Sequence, residues 1–207
     1  MLFRKIAIGF VIMAGIVGLF NWQSIKNSHW KLFPFYLFTL AIFTILCYWL
    51  TPSVANKFSA LVVIPFEFFF IYWLFYKNLQ SKFVIIGGFV YFIFFIIELF
   101  FIEITTKNLF LSLSYSVGNI ILLIFIFIYF YQLSFSDEIL TFYRKQMFWV
   151  CLGFLIFYLG TLPYYGLFNL MLQKFYDILV VYTWVQVSLD CIMNILFAAS
   201  FIWGKEK

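Results

Sequence analysis

The sequence predicts an all-α polytopic membrane protein, a bundle of seven transmembrane helices in a single transmembrane domain spanning residues 1–207. Three observations predict it. Hydrophobic residues make up 66% of the chain and charged residues only 10%, far below the roughly one quarter usual in soluble domains. Several apolar stretches reach the roughly 20 residues needed to cross about 30 Å of hydrocarbon. The short segments between them hold nearly all the Lys, Arg, Asp and Glu. A soluble core would have to hide 33 phenylalanines beneath a polar coat that 13 basic and 8 acidic residues cannot supply. High apolar content also excludes disorder, and Cys47, Cys151 and Cys191 are too few and too widely spaced for a disulfide-built module.

The first span is expected at 6–22. Arg4 and Lys5 before an apolar run also describe a signal peptide, but the stretch 18–24 lacks small residues in the A-x-A arrangement, so the segment reads as a helix. Gly9, Ala14, Gly15 and Gly18 would let a neighbouring helix approach closely. The second span, 33–50, follows a loop with Lys26, His29 and Lys31. The third, 58–76, has Glu67 at its centre and Pro65 two residues before it, where a kink is expected. The fourth, 83–102, contains Gly87 and Gly88 and has Glu98 about one turn from its end. In the fifth, 109–131, the run 120–130 is apolar on every face, which fits a helix and not the alternating strand of an outer-membrane barrel. Ser112, Ser116 and Asn119 share one side of it. The sixth, 147–172, has Tyr158, Thr161 and Tyr165 at helical spacing, with Pro163 among them. The seventh, 177–203, carries Gln186, Asp190 and Asn194 every four residues, with Tyr182 one turn earlier and Thr183 beside it. That polar stripe is about 18 Å long at 1.5 Å per residue and must face protein or a hydrated cavity, not lipid.

Most aromatic residues have an ordinary reading. Trp22, Trp30, Trp49, Trp73, Tyr76, Tyr131, Trp149, Tyr176 and Trp203 fall near span ends, where amphipathic rings anchor at the headgroups. The phenylalanines read as lipid-facing surface and filler between helices. The net charge of +5 fits anionic headgroups and gives no reason to invoke nucleic acid.

The acids inside the spans are different, because an ionisable group in hydrocarbon must be paired or neutral. No span has a Lys or Arg in its interior, so Glu67 and Asp190 are expected to be protonated or to hold a cation. Glu98 is expected to reach the interface beside Glu103 and Lys107. The candidate ligand or proton site is therefore Glu67, Asp190, Asn194, Gln186, Asn119 and Glu98. Interhelical hydrogen bonding alone would account for Ser112, Ser116, Thr161 and Cys191.

No catalytic site, metal or cofactor is expected. His29 is the only histidine, which excludes an H-E-x-x-H zinc site and a histidine-based triad. There is no G-x-G-D protease motif around Asp177 or Asp190, and no phosphate-binding glycine loop. Lys and Arg are more numerous on the side of the bundle bearing Lys26, Lys31, Lys77, Lys82, Arg144, Lys145, Lys205 and Lys207 than on that bearing Arg4, Lys5, Lys57, Lys107 and Lys174. The expected localisation is the inner (cytoplasmic) cell membrane, amino terminus outside and carboxyl terminus in the cytoplasm.

Three resemblances extend this reading. Acids at mid-depth in the third and seventh spans resemble the layout of the microbial rhodopsins; the retinal lysine of that family would stand at Asn194, so the resemblance implies a bundle that forms no Schiff base. The layout is also similar to transporters built of two three-helix repeats joined by a linker helix, where Glu67 and Asp190 would be counterparts. The stretch 148–160, after the loop 131–145, resembles short uncharacterised seven-helix proteins of Bacteroidota often found near two-component histidine kinases, which implies a signalling partner of that kind. Two functions remain open on these grounds. One is a sensory or interaction module that relays helix movement through 134–146, with Asp137, Glu138, Arg144 and Lys145, to a partner protein. The other is a small transporter using Glu67 and Asp190 for a proton or cation.

Overall fold

A computed structural model describes residues 2–105, 112–166, 171 and 174–204, and all the regular structure among them is helical. The helices are α1 Leu2–Phe20, α2 Trp22–Ile25, α3 Leu32–Trp49, α4 Pro52–Phe58, α5 Ile64–Leu79, α6 Lys82–Thr105, α7 Ser112–Ser134, α8 Gln146–Gly166 and α9 Tyr176–Trp203. Lys107, Lys205, Lys207 and the side chains of Arg4, Glu103, Ser112, Glu138, Tyr165 and Tyr176 lie outside the described residues, as do the expected ends of the fifth and sixth spans at 109–111 and 167–170.

Six helical stretches are long and apolar enough to cross a membrane: His29–Trp49, Val54–Leu79, Lys82–Phe100, Leu113–Ser134, Gln146–Tyr164 and Asp177–Trp203. Lys5–Phe20 is a shorter apolar helix. At its end the Val17 carbonyl accepts both the backbone amide of Asn21, at 3.1 Å, and the Asn21 side-chain amide, at 2.9 Å. The third span starts at Val54, earlier than expected, and the kink at Pro65 takes a specific form. Proline has no N–H for the carbonyl one turn back, and its ring would strike that carbonyl. The turn before it, Ser59–Val63, is accordingly widened to π geometry, with the Ile64 amide donating to the Ser59 carbonyl. At the other end of α5, Gln80 adopts the left-handed conformation (φ 48°) and its amide closes on the Tyr76 carbonyl at 2.9 Å. The chain then enters α6 directly, with the Ser81 hydroxyl accepting the Phe83 amide at 3.3 Å.

The chain divides into two compact units. The first comprises Met1–Ile42, Ile126–Gly160 and Thr183–Lys207. Its core centres on Phe33, whose ring lies 5.7 Å from Trp30, 5.2 Å from Phe197 and 5.6 Å from Phe201. Phe154 meets Phe197 edge-on at 5.1 Å. Trp30, expected at the headgroups, is fully buried in this cluster. The Ser28 side chain accepts the Trp30 amide and starts the 3₁₀ turn His29–Lys31, which turns the indole onto Phe33. Helices α1, α3 and α9 converge at Gly18, where an added Cβ would come within 2.7 Å of Pro34 and 2.9 Å of Phe201.

The second unit comprises Phe43–Phe125 and Thr161–Tyr182. Phe68 of α5 is its hub, with ring centroids of Tyr91 at 4.9 Å, Tyr115 at 5.6 Å and Tyr72 at 5.9 Å. Each such pair contributes roughly 0.5–1.5 kcal/mol beyond area burial. Helix α7 reaches this hub because residue 118 has no side chain: a Cβ there would lie 2.8 Å from Phe68. Gly87 plays the same part between α6 and Phe125 of α7. By contrast Phe83, Ile85, Ile86, Phe89 and Phe100 of α6 are mostly exposed. An apolar face of that extent is lipid-facing surface.

Two substitutions test this architecture. Gly118→Ala should lower stability by roughly 1–3 kcal/mol through overpacking against Phe68. Gln80→Gly should raise it by roughly 0.5–1 kcal/mol by relieving the left-handed backbone. Thermal unfolding in detergent of both variants beside the wild type measures each effect.

Candidate functional site

The second unit gathers three of the residues singled out from sequence: Glu67 on α5, Glu98 on α6 and Asn119 on α7. Glu98 lies two residues before the end of the span Lys82–Phe100. It is 7% exposed, and its carboxylate accepts the backbone amides of Leu113 at 3.0 Å and Ser114 at 2.6 Å. Those amides belong to the first turn of α7, whose N–H groups have no carbonyl within their own helix. In an apolar setting they need an acceptor, and a carboxylate is the strongest available because it also meets the positive end of the helix dipole. A side chain of one transmembrane helix thus caps the next.

Tyr91 stands two helical turns before Glu98 on α6, and its hydroxyl is within electrostatic reach of both Glu98 and Glu67. The residue is fully buried, and its hydroxyl makes no hydrogen bond among the described residues. Its ring is held by Phe68, by Phe69 at 6.1 Å and by Tyr72 at 5.8 Å. Tyr72 is satisfied differently: its hydroxyl donates 2.9 Å to the Gly118 carbonyl, so the glycine that admits Phe68 also bonds to α5. Asn119 follows immediately. It is fully buried, and neither its amide nitrogen nor its oxygen has a partner among the described residues. The buried side of α7 therefore presents a donor and an acceptor, both unused, one turn past the Tyr115 that packs on Phe68.

Asp190, Gln186 and Asn194 belong to the first unit. Asn194 is 1% exposed, and its amide nitrogen bridges back one turn to the Asp190 backbone carbonyl at 2.8 Å and to Asp190 Oδ1 at 3.2 Å. Its own carbonyl oxygen is buried without a partner among the described residues. Asp190 and Gln186 are half-buried. The four-residue spacing of this stripe corresponds here to a real side-chain contact for the Asp190–Asn194 pair.

Sequence reasoning overlooked Tyr91 and Tyr72, grouping tyrosines with interfacial and filler aromatics. A signal was present: Tyr91 is at the midpoint of Lys82–Phe100, far from either headgroup region, and on the same face as Glu98. Among the described residues no three His, Cys, Asp or Glu side chains gather where a metal could bind.

No family model matches the chain, and neither a curated protein nor a solved structure does. Its class rests on its own physical features. Six long apolar helices with lipid-facing flanks and polar groups turned inward define a multi-pass membrane protein.

Glu98→Ala should leave the first-turn amides of Leu113 and Ser114 without an acceptor and cost about 2 kcal/mol, whereas Glu98→Gln, which keeps an acceptor but loses the charge, should cost about half as much. Thermal unfolding together with hydrogen exchange at Leu113 and Ser114 separates the two.

Proposed function

We propose that this protein is a membrane-embedded sensory module, with seven spans including α1, that acts through a partner protein. The observation carrying the reading is the Glu98 clamp on α7. The strength of that clamp depends on charge at a single carboxylate, because neutralising it weakens two charge-assisted hydrogen bonds and removes the interaction with the helix dipole. Tyr91, in electrostatic reach of both Glu98 and Glu67, links this charge to a second acid on α5. A change in protonation, or a small polar ligand taken up by Asn119 and Tyr91, would thereby shift the balance between a held and a released α7.

Helix α7 continues through Ser134 into 134–146, whose charged residues Asp137, Glu138, Arg144 and Lys145 are the proposed contact with the partner. The resemblance of 148–160 makes a histidine kinase the leading partner class. In this reading the carboxyl terminus is cytoplasmic, in the inner membrane. A second reading, a small transporter, is favoured by a different observation: Glu67 and Asp190 each stand at the middle of a span, Val54–Leu79 and Asp177–Trp203.

Two measurements on the protein in vesicles separate these readings. For a sensor, Glu98→Gln should lower the hydrogen-exchange protection of 112–116 by about fivefold, matching a cap worth ~1 kcal/mol. Exchange in 134–146 should change with it. Exchange in 134–146 that does not respond to Glu98→Gln rejects the sensor. For a transporter, proton or cation flux should be present in the wild type and abolished by Glu67→Gln and by Asp190→Asn; no flux under any imposed gradient rejects it.

A further inference from the structure

One end of the first unit holds a cavity that includes Arg144 of the proposed partner contact. It has a volume of about 310 Å³ and is lined by Tyr143, Arg144, Ile202 and Trp203. Its depth in the membrane follows from the span limits: Arg144 stands two residues before Gln146–Tyr164, and Trp203 closes Asp177–Trp203. That is the level where hydrocarbon gives way to headgroups.

The walls are chemically unlike. On one side the Arg144 guanidinium lies over the Tyr143 ring, 5.5 Å from its centroid. On the other, Ile202 and Trp203 are about half exposed. The geometry is fixed by two contacts. Trp149 Nε1 donates 2.8 Å to the Tyr143 carbonyl, and the same indole packs on Trp203 with centroids 5.0 Å apart. Arg144 is thus carried on a backbone tied to the ends of α8 and α9, and among the described residues no acidic side chain lines the cavity.

The segment Asp137–Arg144 that leads into it breaks at Thr141 (φ −121°, ψ 20°). Ile139 and Leu140 before the break and Phe142 and Tyr143 after it are exposed, Leu140 to 83%. Exposed apolar residues on a polar connection at span-end level suit a segment lying in the interface.

We propose that this cavity binds the headgroup phosphate of an anionic phospholipid. Arg144 presents parallel N–H donors to two phosphate oxygens, a match that planar guanidinium makes better than ammonium. Ile202 and Trp203 cover the glycerol and the first part of an acyl chain. A free phosphate would leave that apolar wall without a partner, so the lipid, and not a soluble anion, is the occupant the site fits.

The full-length protein, released from vesicles of mixed phosphatidylglycerol and phosphatidylcholine, can be analysed by native mass spectrometry for retained lipid. The wild type should retain phosphatidylglycerol preferentially. Arg144→Gln should reduce that preference by about fivefold, the contribution of one basic residue near an anionic surface, and Arg144→Lys should recover only part of it. Lys82→Gln, at the start of α6, should leave it unchanged. The melting temperature of each variant shows that the fold is retained, as an exposed Arg144 allows. The proposal is overturned if Arg144→Gln keeps the wild-type preference, or if Lys82→Gln loses as much, which would mean diffuse surface attraction. It is equally overturned if soluble glycerophosphate displaces the lipid at the concentration where it competes for a free-anion site.

Discussion

Hydrocarbon offers no hydrogen-bond partner, and nearly every polar contact in this chain follows from that fact. Hydroxyl groups on span surfaces turn back onto their own helices: Thr39 donates to the Phe35 carbonyl, Ser134 to Phe130 and Ser188 to Trp184. The helix start at Ser112 cannot be served this way, because amides of a first turn point away from their own carbonyls. Glu98 supplies the missing acceptor from α6. This makes the Glu98 carboxylate a structural partner of the neighbouring helix. Among the described residues the unused hydroxyl of Tyr91 and the unused amide of Asn119, like the carbonyl oxygen of Asn194 and the side-chain nitrogen of Gln146, are buried groups with capacity to bind something further.

Apolar side chains gain little by leaving lipid for protein, so the helices are held together by close contact and not by exclusion from water. The chain meets this with aromatic hubs and glycines opposite them. Phe33 and Phe68 each organise one unit, and Gly18 and Gly118 let the neighbouring helices come near enough for ring contact. Because dispersion falls off steeply with distance, one methyl group at either glycine would separate the surfaces that meet there. Gly9, with nothing within 4 Å of an added Cβ, has no such role, which shows that small residues in a span are not all packing sites.

The proposed sensor and the proposed lipid site lie at the two ends of one stretch of chain. At its start, α7 is held by the charge on Glu98; at its end, 134–146 reaches the Arg144 cavity beside Trp149 and Trp203.

Much of this was legible from the amino-acid sequence. The helical class, six of the spans and the mid-span position of Glu67 and Asp190 follow from hydrophobic run length and the scarcity of charge, which the bilayer dictates locally without reference to tertiary contacts. The spacing of Asp190 and Asn194 also foretold a contact, since residues four apart on a helix are neighbours in any fold. Tertiary structure alone decided which polar and aromatic residues are used for what. Glu98 as the cap of a different helix, Trp30 as core and not anchor, Tyr91 as a buried hydroxyl, and the π-turn that absorbs Pro65 all depend on which helices are adjacent and at what depth. Run length and periodicity reveal that a side chain faces inward; only the packed neighbours determine what it meets there.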